Sequence, residues 1–195
     1  IRIVVHIVSL SPLAVLLWAA WHGNLGPDPV GEATRRAGRY ALVWLLLSLL
    51  PTAVRIVTGW AGLLRVRRAL GLYAFLYAAL HLAIYVGVDF AFAFGLLISE
   101  ISRSPFILAG LASFAFLIPL AITSTQEWQK RLGRRWRSLH RLAYPAAILA
   151  VVHYLWNYKE LRSGPLIAGA ILASLLLLRI PPLARLLLGA SKPSR

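Results

Sequence analysis

The sequence predicts an all-α integral membrane protein, a bundle of six transmembrane helices with both termini on the cytoplasmic side. Of its 195 residues, 59% are hydrophobic and 14% are charged, whereas a soluble domain is about half apolar and about a quarter charged. Several apolar runs reach the roughly 18 residues that indicate a membrane helix. Lys and Arg are concentrated in alternate connections. These features predict one membrane domain over residues 1–195.

The six apolar runs are separated by connections that contain turn-forming residues and most of the charge. The first run lacks a small-residue cleavage site and is predicted to be a helix rather than a signal peptide. Before the second run, Asp28 followed by Pro29 is typical of a helix start, so we expect a short separate helix there. Arg179 and Pro181-Pro182 cut the last run short, and no internal repeat is apparent. The predicted spans are Ile3–Trp21, Tyr40–Val57, Ala69–Phe92, Pro105–Ile122, Ser138–Tyr158 and Pro165–Ile180.

The distribution of positive charge predicts the orientation of the bundle. Fifteen of the 21 Lys and Arg residues lie at the amino end, in the second and fourth connections, or in the tail. The first, third and fifth connections contain the other six. Six spans put both termini on one side, and the positive-inside rule makes that side cytoplasmic. The formal net charge of +15 does not indicate nucleic-acid binding, because the basic clusters are short and lie between apolar runs.

The chain contains no cysteine and no methionine. This excludes disulfides, thiolate-ligated iron–sulfur clusters, covalent haem attachment through C-x-x-C-H and thioether axial ligands. Any haem must therefore be held non-covalently, and histidine is the expected ligand. No G-x-G-x-x-G motif follows a predicted strand, and no soluble stretch is long enough to hold a nicotinamide or flavin domain. The sequence therefore offers no domain of its own for a nicotinamide or flavin cofactor.

His81, His140 and His153 lie inside predicted spans three and five, where an imidazole is costly unless something binds it. His140 and His153 are thirteen residues apart in span five, about 20 Å along a helix axis, which suits two haems stacked across a bilayer. His81 lies in span three at the depth of His153. We predict that all three are axial ligands of haem iron, with His81 and His153 at the outer haem. For any one of them, a hydrogen bond to a neighbouring helix is the alternative.

The inner level lacks an obvious second histidine. A thirteen-residue step turns a straight helix to a different face, so the two-haem model needs a bend, for which Pro145 is the candidate. Arg67 and Arg68 stand where a fourth ligand would be expected, and a guanidinium group pairs well with carboxylates. We predict that Arg67 or Arg68 meets haem propionates. His6, near the inner end of span one, is one conceivable partner for His140.

Seven strings, in order along nearly the whole chain, resemble those of the MsrQ (YedZ) family. Members of this family are haem-binding membrane subunits of the bacterial periplasmic methionine-sulfoxide reductase system, within the wider ferric-reductase and NADPH-oxidase transmembrane group. The strings are His22–Val30, Arg67–Leu72, Leu80–Leu82, Thr123–Gln126, Leu132–Trp136, Leu139–His140 and His153–Trp156.

The resemblance implies a multi-pass protein of the bacterial inner membrane with one or two b-type haems. His81, His140 and His153 match the haem-associated histidines of the family. Electrons are then expected from the quinone pool, or from a cytosolic flavin reductase. They would pass to a periplasmic molybdopterin-containing partner that reduces oxidised methionines in envelope proteins. Family members are also associated with FMN, for which no residue can be assigned in this sequence. The chain is thus expected to be an electron-transfer subunit rather than the catalytic subunit.

Two other interpretations remain open. The chain is alternatively a haem relay of another ferric-type reductase with a different acceptor. A third interpretation is a non-redox transporter or assembly factor whose histidines bind substrate or metal. Transporters often contain repeated halves with interrupted helices, which this sequence does not suggest.

Overall fold

A computed structural model describes residues 2–157 and 163–180. This described part is all-helical and contains no strand. The end of predicted span five at Tyr158, the Pro181-Pro182 break and the basic tail lie outside it. The helices are α1 (Arg2–Trp21), α2 (Pro29–Thr58), α3 (Arg67–Ile84), α4 (Phe94–Arg103), α5 (Pro105–Ile122), α6 (Gln126–Leu132), α7 (Arg134–Leu139), α8 (Ala143–Trp156) and α9 (Ser163–Leu177).

Among the described residues, four helical segments are long and apolar enough to cross a membrane. They correspond in order to the first four predicted spans. The segments at predicted spans five and six, α8 and α9, are shorter, at 14 and 15 residues. The all-helical membrane fold is therefore confirmed, whereas the count of six spans stays a prediction. The four long segments are Ile3–Trp21, Pro29–Thr58, Arg67–Asp89 and Pro105–Ile122.

Helix α2 is one continuous helix of 30 residues, so the prediction of a separate short helix before span two is wrong. The start itself is as predicted, because the Asp28 side chain accepts a hydrogen bond from the Gly31 N–H and Pro29 lies in the first turn. The helix continues into the apolar run because no proline intervenes before Pro51. Glu32 also stabilises its first turns through ion pairs with successive arginines.

Predicted span five is broken near its beginning. Helix α7 ends at Leu139, a 3₁₀ turn covers His140–Leu142, and α8 begins at Ala143. From the sequence, Pro145 is the predicted position of a bend in this span. Pro145 instead lies in the first turn of α8, where a proline costs little because the N–H groups of that turn have no intrahelical partner. The change in helix geometry therefore precedes the proline and occurs at His140 itself.

Helix α4, between α3 and α5, was not predicted from the sequence. A π-type turn, Tyr85–Asp89, ends α3, and Ala91 and Phe92 then adopt positive φ angles of 45° and 60°. Such angles are uncommon for residues with a side chain and reverse the chain direction here. In α4, Leu97 is buried whereas its neighbours Leu96 and Ile98 are exposed. The connection therefore folds back over the end of the bundle.

Two helical hairpins form the core of the bundle. Helix α2 packs along α3, and α5 packs along α8. Leu49, Tyr77, Ala146 and Ala147 are fully buried where the hairpins meet. The two alanines allow the helices to approach closely. We call the end at which α2 and α5 begin and α3 and α8 end the cavity end, and the opposite end the basic end.

Helix α1 is attached to the bundle by hydrogen bonds more than by broad packing, since only 17% of its apolar segment is buried. The Tyr77 hydroxyl of α3 donates to the Ser9 carbonyl at 2.6 Å and accepts from the Leu13 N–H at 3.1 Å. These two backbone groups would bond to each other in an uninterrupted helix. A side chain inserted in this way is a known cause of helix bending. Tyr77 thus anchors α1 to α3.

Candidate functional site

A cavity of about 530 Å³ opens between the two hairpins at the cavity end. Its volume lies in the range of cofactor sites, and its wall is mostly apolar, as such sites usually are. The charged groups at the cavity come from the helix ends and from α4. They are Arg35, Arg39, Asp89 and Glu100.

The structure brings two of the three predicted haem ligands together in this cavity. His81 of α3 and His153 of α8 both line it. Their ring centroids are 6.1 Å apart and their planes make an angle of 72°. Two imidazoles on opposite sides of one metal ion have centroids roughly 6 Å apart, because each metal–nitrogen bond is about 2 Å long. The spacing of the two rings therefore fits one iron between them.

Each of the two rings is oriented by a backbone carbonyl. His81 Nδ1 lies 2.8 Å from the Thr34 oxygen, and His153 Nδ1 lies 2.7 Å from the Phe106 oxygen. Because a carbonyl can only accept, both Nδ1 atoms must carry the proton and donate it. The lone pair is then on Nε2, which is the atom available to bind a metal. Metal-binding histidines usually make this second hydrogen bond.

Two glycines make room for the rings. A Cβ atom on Gly38 would lie 3.0 Å from His81 Nδ1, and one on Gly110 would lie 2.8 Å from His153 Nδ1. Each glycine lies one helical turn after the residue whose carbonyl accepts the hydrogen bond. Each imidazole therefore packs directly against the backbone of the neighbouring helix, at a position where a side chain would displace it.

The two hairpins repeat one arrangement, although the sequence shows no apparent repeat. The hydrogen-bonded pairs His81–Thr34 and His153–Phe106 have the same separation along the chain, 47 residues. A glycine accompanies each pair at the same position. Sequence reasoning missed both glycines because too few residues are shared to reveal the repeat. The equal spacing from glycine to histidine is the signal that identifies it.

The third predicted ligand, His140, lies in the 3₁₀ turn before α8. Its ring stacks on Trp136 with the centroids 4.0 Å apart, and its Nε2 lies 3.1 Å from the Thr123 hydroxyl. Because that hydroxyl donates to the Pro119 carbonyl at 2.6 Å, it accepts from the His140 Nε2–H. Within the described residues, the lining of the cavity includes His81 and His153 but not His140. A haem at His140 stays a prediction.

The two arginines predicted to meet propionates have different neighbours. Arg67 interacts electrostatically with His140 and with Arg179. Arg68 instead lines a separate groove together with His6. His6, the conceivable partner for His140, forms a hydrogen bond with the Tyr73 hydroxyl at 2.8 Å. Of these candidates, Arg67 is the residue that the structure brings near His140.

Arg35 and Arg39, which sequence reasoning missed, line the cavity together with the two histidines. Arg35 forms ion pairs with Asp28 at 3.3 Å and with Glu32 at 3.2 Å, and Arg39 pairs with Glu32 at 3.2 Å. These pairs hold the two guanidinium groups beside the cavity, where they can bind the carboxylates of a ligand. The sequence feature that could have identified them is their position shortly before the apolar part of α2.

The residues around the cavity fit a haem better than a bare metal ion. In residues 2–157 and 163–180, no group of three or more His, Cys, Asp or Glu side chains is arranged to hold a metal. Two imidazoles alone leave most coordination positions of a metal ion unfilled. A porphyrin supplies four nitrogens of its own and leaves two axial positions for histidines. His81 and His153 are the two imidazoles at this cavity that could occupy such positions.

Comparisons with known proteins agree with this chemistry. Residues 37–151 match the family model described as "Ferric reductase like transmembrane component". Three relatives are each named "Protein-methionine-sulfoxide reductase heme-binding subunit MsrQ". The one from Xanthomonas euvesicatoria is 44% identical over 90% of this chain and 83% of its own length. Those from Rhodospirillum rubrum and Deinococcus radiodurans are 43% and 44% identical, over 94% and 96% of this chain and 89% and 91% of their own lengths. No solved structure matches the chain significantly.

Proposed function

The chain belongs to the MsrQ family of ferric-reductase-like transmembrane proteins, and from this premise we propose that it is a b-type cytochrome of the bacterial inner membrane. In this proposal it relays electrons from the quinone pool to a periplasmic methionine-sulfoxide reductase. The observation that carries the proposal is the pair His81 and His153, with adjacent rings whose Nε2 atoms are available at one apolar cavity. When bound, the haem supplies a reversible one-electron centre.

The residues around the cavity have separate roles in this proposal. His81 and His153 would hold the iron through Nε2. The Thr34 and Phe106 carbonyls hold the Nδ1 protons, which prevents either ring from turning to present its other nitrogen. The apolar wall keeps water away and favours a flat hydrophobic macrocycle. Arg35 and Arg39 would bind the haem propionates, because both residues line this cavity.

A second, inner haem is part of the proposal, with His140 as one axial ligand and Arg67 or Arg68 at its propionates. The support is the proximity of Arg67 to His140 at the basic end, and the aromatic packing of Trp136 against the ring. The proposal is thus for one or two b-type haems, the second being this inner one. Binding iron through Nε2 requires His140 to give up its hydrogen bond to Thr123.

We further propose six spans in a single domain, residues 1–195, with the basic end in the cytoplasm. The support is that the cationic stretch from Lys130 to Arg141 and the connection from Arg55 to Arg68 lie at the same end of the bundle. The cavity end then faces the periplasm, where a molybdopterin-containing reductase subunit would accept electrons. Quinol is the proposed donor, a cytosolic flavin reductase docking at the basic end is the alternative donor, and FMN remains without an assignable residue.

An absorption spectrum of the detergent-purified protein tests the haem proposal. We expect dithionite-sensitive bands of a six-coordinate b-type haem, because two imidazoles occupy both axial positions. The ratio of haem to protein distinguishes one haem from two. A protein that stays colourless after haem supplementation during expression contradicts the proposal.

A haem relay that serves a different acceptor is the second candidate, and the ferric reductase match over residues 37–151 favours it. The two candidates differ in what reoxidises the reduced protein. A purified methionine-sulfoxide reductase partner should reoxidise it rapidly in the first case, and a ferric chelate should do so in the second. Rapid reoxidation by ferric chelate alone would favour the second candidate.

A further inference from the structure

A second cavity, of about 490 Å³, lies between α1 and α3 at the basic end, and we call it the α1–α3 groove. Most of its lining surface is apolar, although Arg65, Arg68 and Gln126 also border it. Leu72 and Leu76 line it and are 36% and 42% exposed on the outside of the bundle. In a membrane protein, an apolar outside surface at this depth contacts lipid. A molecule dissolved in the bilayer can therefore enter the groove from the side.

A polar pair interrupts this apolar lining. His6 Nδ1 and the Tyr73 hydroxyl are 2.8 Å apart, and their rings pack edge to face with centroids 5.8 Å apart. His6 is exposed and lies near the beginning of α1, so the pair is placed at the edge of the bilayer on the basic end. An imidazole and a phenol together provide both a donor and an acceptor.

Contacts one helical turn further along α3 fix the geometry of the His6–Tyr73 pair. There the Tyr77 hydroxyl bonds to the Ser9 carbonyl and to the Leu13 N–H of α1. Tyr77 is fully buried. This anchor keeps α1 beside α3, so the distance between His6 and Tyr73 depends on contacts outside the groove. The groove is thus a preformed feature between two helices.

We propose that the α1–α3 groove binds the head group of a membrane hydroquinone, with His6 and Tyr73 as its hydrogen-bond partners. This inference rests on the proposed function, which needs a lipid-soluble electron donor. A hydroquinone has two hydroxyl groups for the polar pair and an isoprenoid tail for the surface at Leu72 and Leu76. A phenol–imidazole pair matches these neutral hydroxyl groups in hydrogen-bonding capacity.

Oxidation of a hydroquinone to a quinone breaks two O–H bonds and releases two protons and two electrons. His6 takes up the first proton, and the second is released to water at the basic end. The electrons would leave one at a time for a one-electron acceptor, which is the chemistry that a haem held by His81 and His153 would supply in the proposed function. His81 lies eight residues beyond Tyr73 on α3, which is about 12 Å along the helix.

Arg65 and Arg68 at the same groove suggest a different occupant, the phosphate of an anionic lipid. A lipid phosphate would depend on these two cations and would be indifferent to the loss of a hydrogen-bonding pair. A hydroquinone has the opposite requirements. Substitutions of the two pairs of residues therefore distinguish the two occupants.

The test uses the haem-loaded protein in lipid nanodiscs, with duroquinone as the binding probe and duroquinol as the electron donor. The variants are His6→Phe and Tyr73→Phe, which keep a ring but remove its polar atom. His22→Phe is the matched control, since His22 lies at the other end of α1 and bonds to the Trp18 carbonyl. We expect duroquinone to bind about tenfold more weakly to either test variant, the effect of one lost hydrogen bond of about 1.4 kcal/mol. Reduction by duroquinol should slow, while haem content and the dithionite-reduced spectrum stay unchanged.

Binding and reduction are scored separately, so the two proposals can fail independently. Equal duroquinone affinity in wild type, His6→Phe and Tyr73→Phe overturns the hydroquinone site. It is also overturned if only the Arg65→Gln/Arg68→Gln double variant loses affinity and the loss depends on anionic lipid. A wild-type protein that binds duroquinone through His6 and Tyr73, but is not reduced by duroquinol, supports the groove and contradicts the relay.

Discussion

The α2–α3 and α5–α8 hairpins position a histidine in the same way but surround it differently. In each hairpin the imidazole Nδ1 bonds to a carbonyl of the partner helix, and a glycine lies one turn further along that helix. The first hairpin begins with Asp28 and Glu32, which pair with nearby arginines. The second begins with Pro105 and Phe106, and the Phe106 ring packs on His153 with the centroids 5.7 Å apart.

The features shared by the two hairpins indicate what the site requires, and the features that differ indicate what can vary. The carbonyl and the glycine occur in both hairpins, so they are the features that hold an imidazole with Nε2 available. The charged start of α2 and the apolar start of α5 can differ because a backbone carbonyl and a glycine orient each ring whatever side chains begin the helix. A haem held between the hairpins would therefore have matching axial ligands and one polar and one apolar edge.

Of the substitutions that test this comparison, replacement of either histidine should have the largest effect on haem binding. We expect His81→Ala and His153→Ala each to abolish the six-coordinate haem at the cavity, because one axial ligand is lost in both cases. The measurement is the haem-to-protein ratio together with the absorption spectrum, with His22→Ala as the control. Full haem occupancy with an unchanged spectrum in either variant would refute the pairing.

Substitution of the two glycines tests how closely each imidazole packs against the neighbouring helix. Gly110→Ala should reduce haem retention more than Gly38→Ala, since the added Cβ would lie 2.8 Å rather than 3.0 Å from the ring. The cost of such overpacking is about 1–3 kcal/mol, measurable as a lower thermal midpoint. Gly169→Ala is the control, because its Cβ would meet Val151 at an ordinary 3.8 Å. Identical behaviour of Gly110→Ala and Gly169→Ala would show that the close approach has no consequence.

His140→Ala asks whether the second hairpin has a ligand that the first lacks. We expect this variant to keep the haem between His81 and His153 and to lose any inner haem, because His140 is apart from that pair. Haem stoichiometry and the rate of reduction by quinol measure the two effects. Unchanged stoichiometry with a normal rate of reduction would remove His140 from the relay.

The smallest expected difference lies at the helix starts. Asp28→Ala should lower stability by about 1 kcal/mol, because the carboxylate caps the Gly31 N–H at 2.9 Å. Ser104→Ala, at the start of α5, should change it by less than about 0.5 kcal/mol, since its hydroxyl donates to Glu100 instead. Thermal unfolding in one detergent compares the two. Equal losses would mean that the capping bond does not contribute.

The features that the sequence predicted correctly depend on local or additive properties. Apolar run length predicted the first four spans, and a residue pair predicted the cap at Asp28. The matching depth of His81 and His153 follows from counting residues at a constant rise per residue, and the two rings are neighbours in the structure.

Features that depend on contacts between distant segments were not predicted. The importance of Gly38 and Gly110 arises only when each meets an imidazole from another helix. The break at His140 coincides with contacts to Thr123 and Trp136, which hydropathy does not encode. Arg35 and Arg39 were counted as orientation signals, because nothing local distinguishes a cation beside a cavity from one in contact with water.

The Tyr77 hydroxyl takes the place of one backbone hydrogen bond within α1, and this affects the order in which the helices assemble. Transmembrane helices form individually and then associate. Helix α1 is synthesised before α3, yet it cannot reach its final shape until the α3 phenol has entered between Ser9 and Leu13. The order of synthesis of these two helices is therefore not the order in which they mature.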